Sequence, residues 1–590
     1  MTSATRQQSH QLDTINRRLP VVILAMVIGS ALLLLALASF QWLSPEVDRE
    51  FRARGIANTT SVETIPAERG MIYDRDGEPL AFNQIEYRFG VSPNLVTDPA
   101  LVARELALIL DLDEFDIYRK ITNTTSSWVS ITDNGPVSAE IGQEVLDNEA
   151  LTLATTKDRV WRRFYPQGTL ASQILGFTID ENATGAMGLE AYYNDELAGR
   201  AIDEIISTVP LYAPEAVDEV RQEGMDLVLT IDRDLQFLVE SRLAQYVADN
   251  SADSGTIIVM ESRTGDILAM ASYPTFDPNN FVSEDAELLT TPAITDAYEP
   301  GSIFKILTVA AALESGTVDE NWTYNDTGEL QAASIVVRNW NEQAYGVRNA
   351  TDVLVNSLNI GVATMAMEMG PDLFYQALRR FGVGALTRID VSGEASGLLK
   401  EPGDSDWSES DLLTNSFGQG LSVTPIQMIT AANAIANDGL MMQPRIVQQR
   451  IAGDIVQNIE PVVLRRVIGV DTAHMVRDMM VQVVQDPNGA NQAAVPGYSI
   501  AGKTGTAQIP NAVGYESGTS IAGFIGFFPA DDPRVTVLIR LDRPAGYWGS
   551  RTAAPAFSDL AEQLVLYLGI PEDSVRLNLA AQGGQTSTVR

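Results

Sequence analysis

Apolar positions along this chain recur at distinct spacings, and each spacing predicts a different element. Residues 19–45 carry no charge and residues 21–43 are nearly all apolar, about the ~20 residues a helix needs to cross a bilayer. Residues 100–111 and 139–148 place apolar side chains at helical spacing. Residues 68–77 read as a strand and a tight Asp-Gly turn. Residues 226–232 predict a strand leading into a helix over 235–247. Two apolar runs, 256–260 and 267–270, flank Ser262-Arg-Thr-Gly265 and predict a hairpin. After the breakers Pro300 and Gly301, residues 303–313 are helical in pattern, with no further breaker before Gly316. Late runs at 500–508, 521–528 and 535–541 predict antiparallel strands, and 556–568 a closing helix. Terminal strands pairing with an early hairpin, with helices between, give an α+β domain: an antiparallel sheet covered by helices.

At 590 residues the chain exceeds one compact core, so an anchor and two or more domains are expected. Arg6, Arg17 and Arg18 precede the apolar run, and Glu46, Asp48 and Glu50 follow it. The positive-inside rule then puts the short N-terminus in the cytoplasm and the remainder outside. Ala36-Leu-Ala38 resembles a signal-peptide cleavage site, but the run exceeds the ~7–15 residues of a signal core, which favours an uncleaved anchor. The tail after Ile570, rich in Gln, Gly, Ser and Thr, predicts disorder.

Net charge is −37, from 40 basic and 77 acidic residues, which argues against nucleic acid as a partner. The chain has no cysteine and two histidines. It therefore has no disulfide and no thiol-linked lipid anchor, and a zinc site is not expected. Histidine is also a poor candidate for a base: His10 precedes the anchor, and His474 falls in the pattern of a surface helix.

Tyr298-Glu-Pro-Gly-Ser302-Ile-Phe-Lys305 sets a hydroxyl at a helix start and an amine one turn on, on the same face. Orphan N–H groups and the helix dipole stabilise negative charge at such a start. A serine needs a base to become a nucleophile, and here lysine is the available type. The 40 basic residues comprise 35 Arg and 5 Lys: Lys120, Lys157, Lys305, Lys400 and Lys503. A chain that otherwise chooses Arg keeps Lys where an amine able to lose its proton would be needed. Ser357-Leu-Asn359 and Lys503-Thr504-Gly505-Thr506 complete an ordered trio. Each piece alone has a bland reading: a helix cap, a turn pairing, a strand end. Their joint order points to serine acyl transfer with lysine as base.

This trio, with its long flanks, resembles the class B penicillin-binding proteins, most closely the septal cell-division branch. The resemblance runs from the apolar segment to about Ile570. It also takes in Glu68-Arg69-Gly70-Met-Ile-Tyr73-Asp-Arg75, Arg163-Phe-Tyr165-Pro-Gln-Gly168 and Gly188-Leu-Glu190, which carry no evident chemistry. It implies a cytoplasmic tail (1–18), a transmembrane anchor (19–43), a mixed α/β pedestal (46–223), a penicillin-binding transpeptidase domain (224–570) and a disordered tail (571–590).

The substrate so implied is a peptidoglycan stem peptide ending in D-Ala-D-Ala, with penicillin and other β-lactams as inhibitors and no cofactor or metal. Glycan-polymerising and division-complex membrane proteins are the implied partners. Ser302 is the expected nucleophile, Lys305 the base and Ser357 a proton relay. Asn359 is expected to hold the substrate amide, Lys503 to supply charge, and Thr504 and Thr506 to bind the terminal carboxylate. Gly505 would let substrate approach the strand edge. The N–H groups of Ser302 and Thr506 would form the oxyanion hole. Phe417-Gly-Gln-Gly420 with Thr424-Pro425 resembles a further landmark near the site. Tyr547-Trp548-Gly549 reads more readily as packing than as a groove wall. A D,D-carboxypeptidase or β-lactamase, which needs a positioned water and base not found in the sequence, and a membrane-anchored β-lactam sensor or scaffold are the alternatives.

Overall fold

The structure is a computed structural model describing residues 3–42, 60–65, 67–152, 155–180, 183–200, 202–207, 223–511 and 514–581. Its contacts divide the chain into two units. In the described part of the first, Ser3–Trp42 forms a single helix that contains Pro20. Within it Leu19–Ser39 is long and apolar enough to cross a membrane. Every large apolar side chain described along that span is exposed, as expected where lipid is the solvent. Thr60–Ile65 and Ile202–Ser207 form a two-stranded antiparallel ribbon in the same unit. Glu46, Asp48 and Glu50, and the tail from residue 582, lie outside the described residues.

The second unit comprises Glu68–Gly199 and Glu223–Arg590. Its C-terminal part is built on a five-stranded sheet. From edge to edge the strands run Ile267–Tyr273, Ser254–Glu261, Val535–Asp542, Ile521–Phe528 and Ala501–Ala507. All four neighbouring pairs are antiparallel, so the sheet joins the early hairpin to the late strands as the apolar pattern predicts. Of the three inner strands, Ile521–Phe528 and Val535–Asp542 are buried along their whole length, which explains their continuous apolar runs. Lys305–Glu314 is buried on every side up to Leu313. It is the central helix, and its register fixes where Lys305 points.

Strand Asp226–Leu229 pairs in parallel with Ile72–Tyr73 and antiparallel with Val447–Ala452. One mixed sheet thus carries strands from both sides of residue 224. The largest apolar core is correspondingly continuous, from Ile72, Leu80 and Leu189 to Ile257 and Phe557. A separate small core, around Phe89, Leu106, Ile117 and Val145, packs the predicted helices, here Pro99–Leu110 and Ala139–Asp147, against strand Pro79–Val91.

The three flanking motifs without chemistry meet at one buried ion triad. Arg69 Nε donates to Glu190 Oε2 and Arg163 Nε to Glu190 Oε1, both at 2.6 Å, and the Tyr165 hydroxyl reaches the same carboxylate at 3.3 Å. Glu190 is fully buried. Burial pushes its pKa up, but the guanidiniums of Arg163 and Arg69 outweigh burial and hold the carboxyl below its ordinary value.

One expectation is corrected. The composition after Ile570 predicts disorder, yet Asp573–Ala581 is a helix. Arg576 anchors it to Asp531 at 2.6 Å, and Ser499 N donates to Asp573 Oδ2 at 2.6 Å. Composition carries no information about such long-range partners.

Candidate active site

Ser302 sits on a short 3₁₀ turn, Gly301–Phe304, immediately ahead of helix Lys305–Glu314. The turn is clamped from two sides. Gly301, at φ 55°, donates its N–H to Gly418 O at 3.0 Å, and a Cβ on Gly418 would lie 2.4 Å from Gly301 O. The Phe417-Gly-Gln-Gly420 landmark is therefore the seat of the Ser302 turn. On the other side Ile303 fits a notch made by two glycines. Gly505 and Gly523 are cross-strand partners, and a Cβ on them would meet Ile303 at 2.6 and 2.9 Å respectively. The bare face of Gly505 is thus filled by Ile303, where the sequence reading left it for substrate.

The two motif lysines are almost wholly buried and converge on Ser357. Lys305 Nζ lies 2.6 Å from Ser357 O, 3.2 Å from Ser357 Oγ and 2.7 Å from Asn359 Oδ1. Lys503 Nζ lies 3.2 Å from the same Oγ and 3.2 Å from Thr504 O. Among the described residues neither lysine forms an ion pair, and Lys305 bonds Ser357 and Asn359 instead of Ser302. Burial, and then the neighbouring Lys503 ammonium, push the Lys305 pKa well below its ordinary value. Burial brings Lys503 down to about 7. A neutral Lys305 would direct its two N–H groups to the Ser357 and Asn359 carbonyl oxygens. Its lone pair then remains for a hydroxyl proton.

Asn359 is committed on both polar atoms, since its Nδ2 also donates to Arg338 O at 2.9 Å. In the protein alone this side chain orients Lys305; the sequence reading gave it to the substrate amide. Thr506 Oγ1 accepts from Gly549 N at 3.0 Å, which leaves the hydroxyl hydrogen free to point at a bound anion.

Ser302, Ser357, Asn359, Thr504 and Thr506 line one cleft of about 450 Å³, with Lys305, Lys503 and Gly505 beneath its surface. All eight predicted positions therefore gather at one place. Tyr547 and Trp548 also line the cleft, and Trp548 meets Trp340 edge to face at 5.3 Å. These aromatics form a wall where the sequence reading favoured packing. Trp340 was missed, as was Gln508, whose Oε1 accepts from Nε2 of Gln419, a residue of the Phe417-Gly-Gln-Gly420 landmark, at 3.1 Å on the cleft rim. No local spacing signals a lone Trp or Gln. His474 sits on helix Val470–Gln485 with its ring 3.1 Å from Asp438 Oδ1, and it is not part of the cleft lining.

Residues 255–562 match the penicillin binding protein transpeptidase domain and residues 64–229 the penicillin-binding protein dimerisation domain. The chain belongs to the penicillin-binding protein transpeptidase family. It is 31% identical over 541 residues to stage V sporulation protein D of Bacillus subtilis, covering 88% of this chain and 82% of that one. It is 33% identical over 590 residues to penicillin-binding protein PbpB of Mycolicibacterium smegmatis, covering 92% and 89%. Among solved structures, penicillin binding protein 3 of Mycobacterium tuberculosis complexed with aztreonam superposes with a TM-score of 0.66 at 29% identity, over 86% of this chain and 98% of that one. The transpeptidase family is one of serine acyltransferases, so the chain is an acyl-transfer enzyme of the penicillin-binding type.

Proposed function

We propose that this protein crosslinks peptidoglycan stem peptides through a Ser302 acyl-enzyme during septal cell-wall synthesis, and that β-lactams inhibit it by acylating the same hydroxyl. The observation that carries the reading is the convergence of two buried lysines on Ser357 Oγ, each at 3.2 Å, in the cleft that Ser302 lines.

In the first step Ser302 Oγ attacks the penultimate D-Ala carbonyl while Lys305 takes its proton. The peptide C–N bond then breaks, and Ser357 passes a proton from the lysines to the departing D-Ala amine. In the second step the amine of a neighbouring stem attacks the ester, restores the Ser302 hydroxyl and leaves the crosslink. Thr504, Thr506 and Lys503 receive the terminal carboxylate of the donor. The N–H groups of Ser302 and Thr506 form the oxyanion hole, each donor worth about 3 kcal/mol of barrier.

Arg6, Arg17 and Arg18 ahead of the apolar helix favour a cytoplasmic N-terminus and an extracytoplasmic catalytic domain. Residues 46–223 then act as a pedestal for the domain over 224–570, and glycan-polymerising and division-complex membrane proteins are its partners. The septal assignment rests on the sequence resemblance to the division branch.

The test is to label the full chain with a fluorescent penicillin and locate the adduct by peptide mass. Stable label on Ser302, absent in Ser302→Ala, together with crosslinked product from a stem-peptide donor and acceptor pair, supports the reading. Label elsewhere, or acylation without crosslinking, overturns it. Mid-cell localisation of a tagged copy during division tests the septal part.

A further inference from the structure

Four short strands lie ahead of Ser357. Thr323–Asp326 pairs with Gly346–Asn349, and Glu329–Ala332 with Ile335–Arg338. Asp326 lies inside this element, 1% exposed, with no cation beside it among the described residues. It is satisfied by neutral donors. Asn339 Nδ2 lies 3.0 and 2.9 Å from its two oxygens, the Tyr324 hydroxyl is at 2.9 Å and Gly328 N at 3.0 Å. Burying a carboxylate this way is costly unless every lone pair is met, so the arrangement calls for a reason.

Asn339 links Asp326 to the start of the Asn359 helix. Its Oδ1 accepts from Ile360 N at 3.4 Å, the first backbone donor beyond Asn359 on the helix Asn359–Arg380. Its chain neighbour Arg338 gives the carbonyl that receives Asn359 Nδ2 at 2.9 Å. That bond turns the other end of the amide, Oδ1, onto Lys305 Nζ at 2.7 Å. A second contact fixes the same helix: a Cβ on Gly361 would lie 2.9 Å from the Tyr324 hydroxyl, so the Tyr324–Asp326 pair packs directly under its first turn.

We infer that Asp326 and Asn339 are positioning residues for acyl transfer: they set the start of the Asn359 helix, and through the Asn359 amide they aim the Lys305 amine. This rests on the reading of Lys305 as the base. Asp326 neither lines the cleft nor touches the lysine, and its effect on the lysine passes through the start of the Asn359 helix and the Asn359 amide.

A double-mutant cycle on the detergent-solubilised full chain tests this, with the rate of acylation by a fluorescent penicillin and its pH profile as readouts. Asp326→Asn is expected to slow acylation about tenfold by misplacing the base, and to move the acidic limb of the profile in the same direction as Asn359→Ala does. In the Asn359→Ala background it should slow the reaction no further. An Asp326→Asn variant that acylates at the parent rate, or that loses the same factor with and without Asn359, overturns the inference. If Asp326→Asn does not fold, Asn339→Gln, which moves the amide by one methylene, takes its place in the same cycle, and the same two outcomes support or overturn the inference. Lys305→Arg run alongside separates the two ideas. Normal acylation there would sink the base assignment, whereas an inactive Lys305→Arg with an inert Asp326→Asn sinks only the positioning role.

Discussion

Lys305 Nζ stands 2.6 Å from the carbonyl oxygen of Ser357, and Ser357 holds a left-handed backbone at φ 55°. A non-glycine residue in that region costs on the order of 1–3 kcal/mol. The turn accepts this and in exchange presents both the carbonyl and the Oγ of one residue to Lys305. The short loop between helix Ala350–Val355 and helix Asn359–Arg380 thereby binds the amine at two atoms of Ser357.

Replacing Lys305 by arginine puts a permanent cation in its place and removes the proposed base, because guanidinium does not give up its proton. Acylation of Ser302 is expected to fall at least ~100-fold, the lower range of what general-base catalysis supplies. Stopped-flow labelling with a fluorescent β-lactam measures it. A loss of only a few-fold would mean that another group takes the Ser302 proton.

The lysine pair also sets a pH dependence. With Lys305 as the proposed base, acylation needs it neutral, and both burial and the Lys503 ammonium favour that form. The rate should therefore hold through neutral and mildly alkaline pH and fall as acid protonates the pair, where an ordinary lysine would place the fall near ~10.4. For stability the sign is the same. Lys503 titrates at about 7 in the folded protein, so between there and ~10.5 the unfolded chain binds a proton the folded one lacks, and stability rises with pH. The melting-temperature gain of Lys503→Met over the parent should accordingly be largest at or below pH ~7 and shrink toward pH ~10. A gain that grew with pH would contradict the assignment.

The glycine notch predicts a rescue. A Cβ on Gly523 would meet Ile303 Cδ1 at 2.9 Å, so Gly523→Ala should push the Ser302 turn off the strand and slow acylation, at a stability cost of about 1–3 kcal/mol. Ile303→Val removes the offending methyl, and the pair should recover much of the rate. Denaturant melts and labelling rates on the two single variants and the double variant check it. Two independent losses would show that the turn is held elsewhere.

Glu190 is the keystone of the buried triad with Arg69 and Arg163. Glu190→Gln leaves two buried guanidiniums without their counter-charge and should cost ~3–5 kcal/mol, read from urea unfolding. Because its pKa is lowered in the fold, this contribution is present above the ordinary carboxylate range and is lost as pH falls through the folded value. A variant as stable as the parent at pH 7 would show that water takes over the carboxylate's role.

The candidate cleft was legible residue by residue because its reactive groups lie in short motifs at helix starts and strand edges, where local spacing decides which side chains share a face. The apolar runs likewise gave the early hairpin, the late strands and the membrane-length helix, since period and length alone distinguish them. The helix Asp573–Ala581 escaped because it is tied by Arg576 and Asp573 to partners more than forty residues away. Gly505 and Asn359 were recognised as site residues, but their contacts were not legible. Ile303 fills the first and Arg338 engages the second only after the strand, the turn and the helix have packed. What the sequence by itself determined was the inventory of reactive groups and the elements that carry them. Only the tertiary structure decided that two lysines 198 positions apart in number, Lys305 and Lys503, share one serine hydroxyl, because burial and mutual repulsion arise from packing and not from neighbours along the chain.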